Sequence, residues 1–210
     1  MFKHLYDSFS YFYKNNPKHP EQLGSIYFYS DPHFGDADMV SLRMENSPLK
    51  FAPTDEEQVT AINSIVSAND TLIILGDIGN PEPMKKIRAG RKILVKGNHD
   101  AGNANYAGYF DEIYEGPLFL SEKILISHEP IDFPYALNIH GHVHFTGPAT
   151  EPLNPKTYAV NVCAENINYQ PISLAEIVSL GWLREITSLH RATIDTASKK
   201  GEKWLNDLIK

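Results

Sequence analysis

The chain has 210 residues, nine histidines, one cysteine (Cys163) and a formal charge of −7. A single cysteine excludes a disulfide-stapled scaffold and a thiolate zinc finger, so any bound metal must take nitrogen and oxygen ligands. The acidic balance argues against a broad duplex-DNA footprint, which needs clustered Lys and Arg.

Residues 1–24 read as an N-terminal extension, aromatic and polar, punctuated by Pro17, Pro20 and Gly24. Polar residues interrupt every apolar run, so neither a signal-peptide core nor a spanning helix of about 20 apolar residues is expected, and a cytoplasmic location follows. Ser25 to Ser30 (SIYFYS) is rich in β-formers and predicts a strand. A long polar loop follows from Asp31. Thr54 and Glu57 have capping-box spacing, which predicts a helix from near Asp55 to about Val66 with Val59, Ile62 and Ile65 in period. Thr71 to Leu75 (TLIIL) reads as a buried strand. A basic helix near Pro83 to Ala89 and a strand at Lys92 to Lys96 come next, and this alternation predicts an α/β sandwich.

The second half is richer in strands, with candidates at Glu112 to Glu115, Lys123 to Ser127, Ala136 to His140 and Tyr158 to Cys163. Ser173 and Glu176 form a second capping box, opening a helix that stops near Gly181. Leu183, Ile186 and Leu189, then Trp204, Leu205, Leu208 and Ile209, keep a helical period. Residues 179–210 therefore read as a helical appendage on a core domain of residues 25–178.

Each predicted strand ends in a polar cluster. The first runs into Asp31-Pro32-His33, the second into Gly76-Asp77, and the third into Gly97-Asn98-His99-Asp100. The later strands run into His128 and into Gly141-His142-Val143-His144. In open α/β sheets, ligands bind beyond the carboxyl ends of strands. Asp31 and His33 are two apart, as are His142 and His144, so each pair faces one side of an extended segment. The glycines before Asp77, Asn98 and His142 let backbone approach ligand closely. The candidate ligands are Asp31, His33, Asp77, Asn98, His128, His142 and His144, too many for one tetrahedral zinc. They suit two metals sharing a carboxylate, and the mixed imidazole and carboxylate set fits Mn, Fe or Zn better than Mg or Ca.

This ordered set, D-x-H, G-D, G-N-H-D, a lone His and G-H-x-H, resembles the calcineurin-like metallophosphoesterase superfamily, and within it the small bacterial and phage phosphoesterases. Ser30-Asp31-Pro32-His33-Phe34-Gly35 and the closing Asn168-Tyr169-Gln170-Pro171-Ile172-Ser173 carry that nearer likeness. The resemblance implies a four-layer αββα sandwich of two mixed sheets flanked by helices. It implies a hydrolase of phosphomonoesters or phosphodiesters holding two divalent transition metal ions: manganese first, with iron, zinc, nickel or cobalt as alternatives. Asp31, His33 and His144 would hold one metal; Asn98, His128 and His142 the other; and Asp77 would bridge them. A metal-bridging hydroxide would attack phosphorus. His99 and Asn98 would contact the phosphate, His99 would protonate the leaving oxygen, and Asp100 would orient His99.

Other residues carry lesser expectations. Arg43, in the loop after His33, is a candidate phosphate contact. The run Lys85, Lys86, Arg88, Arg91 and Lys92 lies at the amino end of its strand, away from the metal edge, and reads as a solvated face. Tyr106, Tyr109 and Phe110 read as core, Cys163 as inert, and His140 as a strand residue or a neighbour of the ligands. His4, His19 and His190 lie outside the motifs. Relatives often carry histidine after Phe-Gly, where this chain has Asp36. The Ile78-Gly79-Asn80 run argues against a protein Ser/Thr phosphatase. The expected partner is a small phosphate ester. A nuclease is the alternative enzyme, and a non-catalytic scaffold of the same fold is the alternative from another class.

Overall fold

A computed structural model of the chain describes residues 24–47, 50–100, 106–145 and 158–208. The expected extension at residues 1–24 lies outside these except for Gly24, as do His4 and His19. Strand β1 (Ile26–Tyr29) is followed by helices α1 (Ala37–Asn46) and α2 (Asp55–Ile65), then β2 (Thr71–Ile74), β3 (Arg91–Val95) and β4 (Glu112–Tyr114). Next come β5 (Leu118–Ser121), β6 (Ile124–Ile126), β7 (Leu137–His140), β8 (Ala159–Asn161) and β9 (Ile172–Ser173). Helices α3 (Leu174–Ser179) and α4 (Leu189–Leu208) end the described chain.

Among the described residues, two mixed sheets form. One has the order β4-β3-β2-β1-β9 and the other β5-β6-β7-β8. Strands β1 to β4 run parallel, with β9 antiparallel at the edge; β6 to β8 run parallel, with β5 antiparallel. Phe28, Ile73, Leu75, Ile93 and Val95 of the first sheet pack against Ile124, Ile126, Leu137, Ile139, Val160 and Val162 of the second. The period of two puts Tyr29, Leu72, Ile74 and Leu94 on the opposite face, under Val59 and Ile62 of α2 and its capping residue Val66. This is the α/β architecture of two mixed sheets flanked by helices that the sequence predicts.

The predicted boundaries of α2 follow from its capping box, which forms: the Thr54 hydroxyl accepts from Glu57 N–H, and the Glu57 carboxylate accepts from Thr54 N–H. The Ser173–Glu176 box opens α3 in the same way. Four expectations change. The loop after Asp31 contains α1, capped by Asp36 Oδ1, which accepts from Met39 N–H at 3.0 Å. The basic segment folds only as a 3-10 turn, Glu82–Lys86, closed by Ile87 N–H on Met84 O, after which Ile87 is already extended. Strands β5 and β9 are added, β5 as a hairpin with the adjacent β6 and β9 through β1, its partner distant in sequence. The helical stretch after Gly181 begins as a 3-10 turn, and Leu183 and Ile186 pack into the inter-sheet core before α4 starts. Among the described residues no helix is long and apolar enough to cross a membrane.

Candidate metal centre

The carboxyl ends of the two sheets meet. Ser30, just past β1, bridges in parallel to Cys163, just past β8. Ala164 N–H donates to Ser30 O at 3.0 Å. This seam brings Asp31, Asp77 and Asn98 from one sheet against His128, His142 and His144 from the other. Three groups form there: Asp31, His33 and His144; Asp77, His128 and His142; and, sharing His144 with the first, His144, Cys163 and Glu165. The ligand atoms in each lie within 4.8 Å of one another. Asn98 Oδ1 joins the second group, 2.8 Å from His128 Nε2 and 3.1 Å from His142 Nδ1. Asp77 Oδ2 lies 3.4 Å from His128 Nε2 and 3.8 Å from His33 Nε2, between the first two groups.

Each aspartate has one oxygen held by the chain and one turned inward. Asp31 Oδ2 accepts from His142 N–H at 2.9 Å and from the Cys163 thiol at 3.1 Å. Its Oδ1 is buried with no hydrogen-bond partner, and so is His33 Nε2. Asp77 Oδ1 accepts from His99 N–H at 2.9 Å, which leaves Oδ2 for the centre. The histidines divide their nitrogens likewise. His128 Nδ1 meets Leu75 O at 2.7 Å, His33 Nδ1 lies 3.4 Å from Asp36 Oδ2, and His144 Nδ1 bonds Glu165 Oε1.

The electrostatics follow from burial and these partners. Burial works against a charge on His128, but its bond to Asp77 and the charges of Asp31 and Asp77 prevail and lift its pKa to about 9. For Asp77 burial acts upward, yet the bond to His128 outweighs it and holds the carboxyl below its usual range. Burial opposes a charge on His144 too, and Glu165 overcomes it, raising its pKa. His33 shifts the other way because burial outweighs its carboxylate neighbours.

The local backbone is unusual where the ligands sit. Asp31, His33, Asp77 and His142 all have positive φ, between 47° and 67°. Such residues are uncommon outside glycine, and each carries a local cost of ~1–3 kcal/mol that surrounding structure must hold in place. At Gly97 a Cβ would stand 2.2 Å from Asp77 Oδ1, and at Gly141 it would stand 2.4 Å from Asp31 Oδ2. The ligands thus occupy space that only glycine leaves.

Two expected roles are corrected. Arg43 does not reach toward a phosphate: it is 1% exposed, and its guanidinium donates to Asp31 O at 2.7 Å and Pro32 O at 3.2 Å. Asp100 does not hold the His99 ring. The 3-10 turn Asn98–Asp100 aims it beneath the loops, where its oxygens accept from Asp77, Ile78 and Gly97 N–H and from Tyr106 O–H. It clasps the segments carrying Asp77 and Asn98. Asn98 and His99 are exposed at the mouth, with the His99 ring 5.7 Å from that of His33. His140 is buried in β7 with Nδ1 2.8 Å from Gly141 O, and it joins none of these groups. Tyr106 is buried in the core with its ring against Phe110. Lys85 and Lys86 pair with Glu82 and Glu56, as a solvated face does.

Sequence reasoning missed Glu165, beside His144 and Arg43, and the contact of Asp36 with His33. A lone glutamate past a strand end has no spacing signature. Asp36 had one, as a helix cap before Met39 and Arg43, the residues of α1 that are buried.

The donor set fits divalent cations. Two inward-facing buried atoms have no hydrogen-bond partner, and they sit in a group of imidazole and carboxylate with an amide oxygen nearby.

No family model matches the chain. The uncharacterized protein MJ1445 of Methanocaldococcus jannaschii is 34% identical over 174 residues, spanning 75% of this chain and 92% of that protein. The crystal structure of AQ665 from Aquifex aeolicus, a protein of unknown function, is 28% identical with a TM-score of 0.57 and covers 74% of this chain and 98% of its own. The nuclease MPE of Pseudomonas putida is 21% identical with a TM-score of 0.41, over 62% of this chain and 65% of that one.

Proposed function

The chain belongs to the family of the Methanocaldococcus jannaschii protein MJ1445, and from the geometry of its site we propose that it is a metal-dependent hydrolase of phosphoric esters, built as a calcineurin-like metallophosphoesterase with a two-cation centre. The observation that carries this reading is the pair of buried atoms without a hydrogen bond, Asp31 Oδ1 and His33 Nε2, grouped with His144 Nε2 and adjoining the second group through Asp77. Buried polar atoms almost always have partners, so an exception inside a ligand-rich cluster marks a ligand's place. Asp31, His33 and His144 would hold one cation and Asn98, His128 and His142 the other, with Asp77 available to both. Manganese suits this set, with iron, zinc, nickel and cobalt as alternatives.

Divalent cations in such a site supply Lewis acidity toward a phosphoryl oxygen and lower the pKa of water. The chain's own groups do the rest. Asn98 and His99, exposed at the mouth, meet the substrate phosphate. His99 is fixed through its backbone N–H on Asp77 Oδ1, which leaves its ring free to give a proton to the leaving oxygen. Asp100 keeps both loops in register by binding their N–H groups. The substrate is a small phosphate ester: Lys85 and Lys86 are already paired with carboxylates, and the chain carries −7 overall.

The test is hydrolysis of bis-p-nitrophenyl phosphate and p-nitrophenyl phosphate with manganese, then with EDTA, beside labelled single- and double-stranded oligonucleotides. Manganese-dependent release of nitrophenol that EDTA stops is the expected result. Cleavage confined to oligonucleotides replaces the small substrate by nucleic acid. No activity and no bound metal under any divalent cation leaves a scaffold.

A further inference from the structure

The two halves of the centre are backed differently. Behind the Asp77, His128 and His142 half, the support on a histidine Nδ1 is a neutral carbonyl, Leu75 O on His128. Behind the Asp31, His33 and His144 half stand two carboxylates, Asp36 on His33 and Glu165 on His144. Glu165 is 5% exposed, and its second oxygen lies 3.4 Å from Arg43 Nη2. Arg43 in turn grips the carbonyls of Asp31 and Pro32 and lies 5.5 Å over the ring of Tyr169. Glu165 and Arg43 therefore connect the two ends of one half-site: the backbone of Asp31 and the ring of His144. Burying an ion pair is costly and seldom adds stability, so its use here is geometric.

A carboxylate on one imidazole nitrogen fixes the ring's orientation and makes the other nitrogen a stronger donor. We infer that Glu165, held by Arg43, is a positioning residue for His144, and that this backing makes the Asp31, His33 and His144 half the tighter of the two cation sites. The inference rests on the two-cation reading above.

Manganese binding to the metal-free protein, followed by equilibrium dialysis and by electron paramagnetic resonance, tests it. The parent takes up two cations in unequal steps, His144→Ala removes the tighter step, and His142→Ala removes the weaker. Glu165→Gln keeps an acceptor but no charge, and it weakens the tighter step by ~10–100-fold while the weaker one moves little. A tight step untouched by Glu165→Gln, or both steps weakened alike, overturns the inference. Unequal steps in which His142→Ala removes the tighter one overturn it too. Nitrogen NMR of the unmutated, zinc-loaded protein is independent of any variant's folding: a proton on His144 Nδ1 supports the inference, and one on Nε2 overturns it. A parent that binds no divalent cation overturns the two-cation reading itself and this inference with it.

Discussion

The thiol of Cys163 donates to Asp31 Oδ2 across 3.1 Å, with both side chains fully buried. Burial, followed by the charge of Asp31, pushes the thiol pKa well above its usual value, so the sulfur stays protonated and serves as a donor. It steadies Asp31 so that Oδ1 is the oxygen left for a cation. Ellman's reagent therefore leaves the native protein unlabelled and reacts once guanidinium unfolds it. Cys163→Ser keeps a donor and holds cation affinity near the parent's. Cys163→Ala loses it and weakens cation binding by about tenfold, the low end of such supporting contacts. Rapid labelling of the native thiol contradicts this account.

His99 acts on the leaving group, so its loss depends on what leaves. An alkyl or sugar oxygen is a poor leaving group without a proton, and His99→Ala slows such substrates by ~10²–10⁴-fold. Nitrophenolate departs unaided, and the same variant slows bis-p-nitrophenyl phosphate by under about tenfold. Steady-state turnover on the two substrate types measures the difference. Equal losses on both place His99 in binding instead of proton transfer.

The strand-end ligands were legible because each cluster follows an apolar run, and Asp77, Asn98 and His142 each stand directly after a glycine. That pattern is local, and so is the capping chemistry that set α2 and α3. Arg43 was not legible. Its environment depends on Glu165 and Tyr169, which reach it only when β8 lies beside β1 through the Ser30–Cys163 bridge. Asp100 misled for the same reason: adjacency to His99 suggested a side-chain contact, whereas the 3-10 turn hands its carboxylate to Asp77, Ile78 and Gly97 N–H. Strand β9 depends on β1, and no short window of sequence contains both members, whereas β5 pairs with the adjacent β6 as a local hairpin that carries no clear turn signature.

That clasp has a measurable weight. Asp100 is fully buried, and both of its oxygens accept. Asn in its place turns an NH₂ toward backbone N–H donors, leaving at least one buried donor unpaired and setting like poles against each other. Asp100→Asn costs ~2–4 kcal/mol of unfolding free energy. Urea denaturation with an unchanged m-value measures it, and the variant also loses cation affinity as the loop of Asp77 loosens. Stability within ~0.5 kcal/mol of the parent contradicts the clasp.

His128 sets opposite pH trends for folding and for cation binding. Its pKa in the metal-free protein is raised from 6.5 to about 9, against its own burial, by Asp77 and Asp31. A raised folded-state pKa contributes stability that is fully present below about 6.5 and is lost as pH rises through about 9. Thermal melting of the metal-free protein therefore shows a declining His128 contribution from neutral pH toward pH 9. A cation needs the neutral imidazole, so binding expels that proton. Manganese affinity accordingly climbs by up to ~tenfold per pH unit across the same window and levels off above about 9. Calorimetry in buffers of different ionisation enthalpy counts the proton released. His128→Asn weakens both trends together, and His144, whose pKa is also raised, carries what remains. Affinity that stays flat between pH 7 and 9 contradicts the assignment of His128 as the group that must deprotonate.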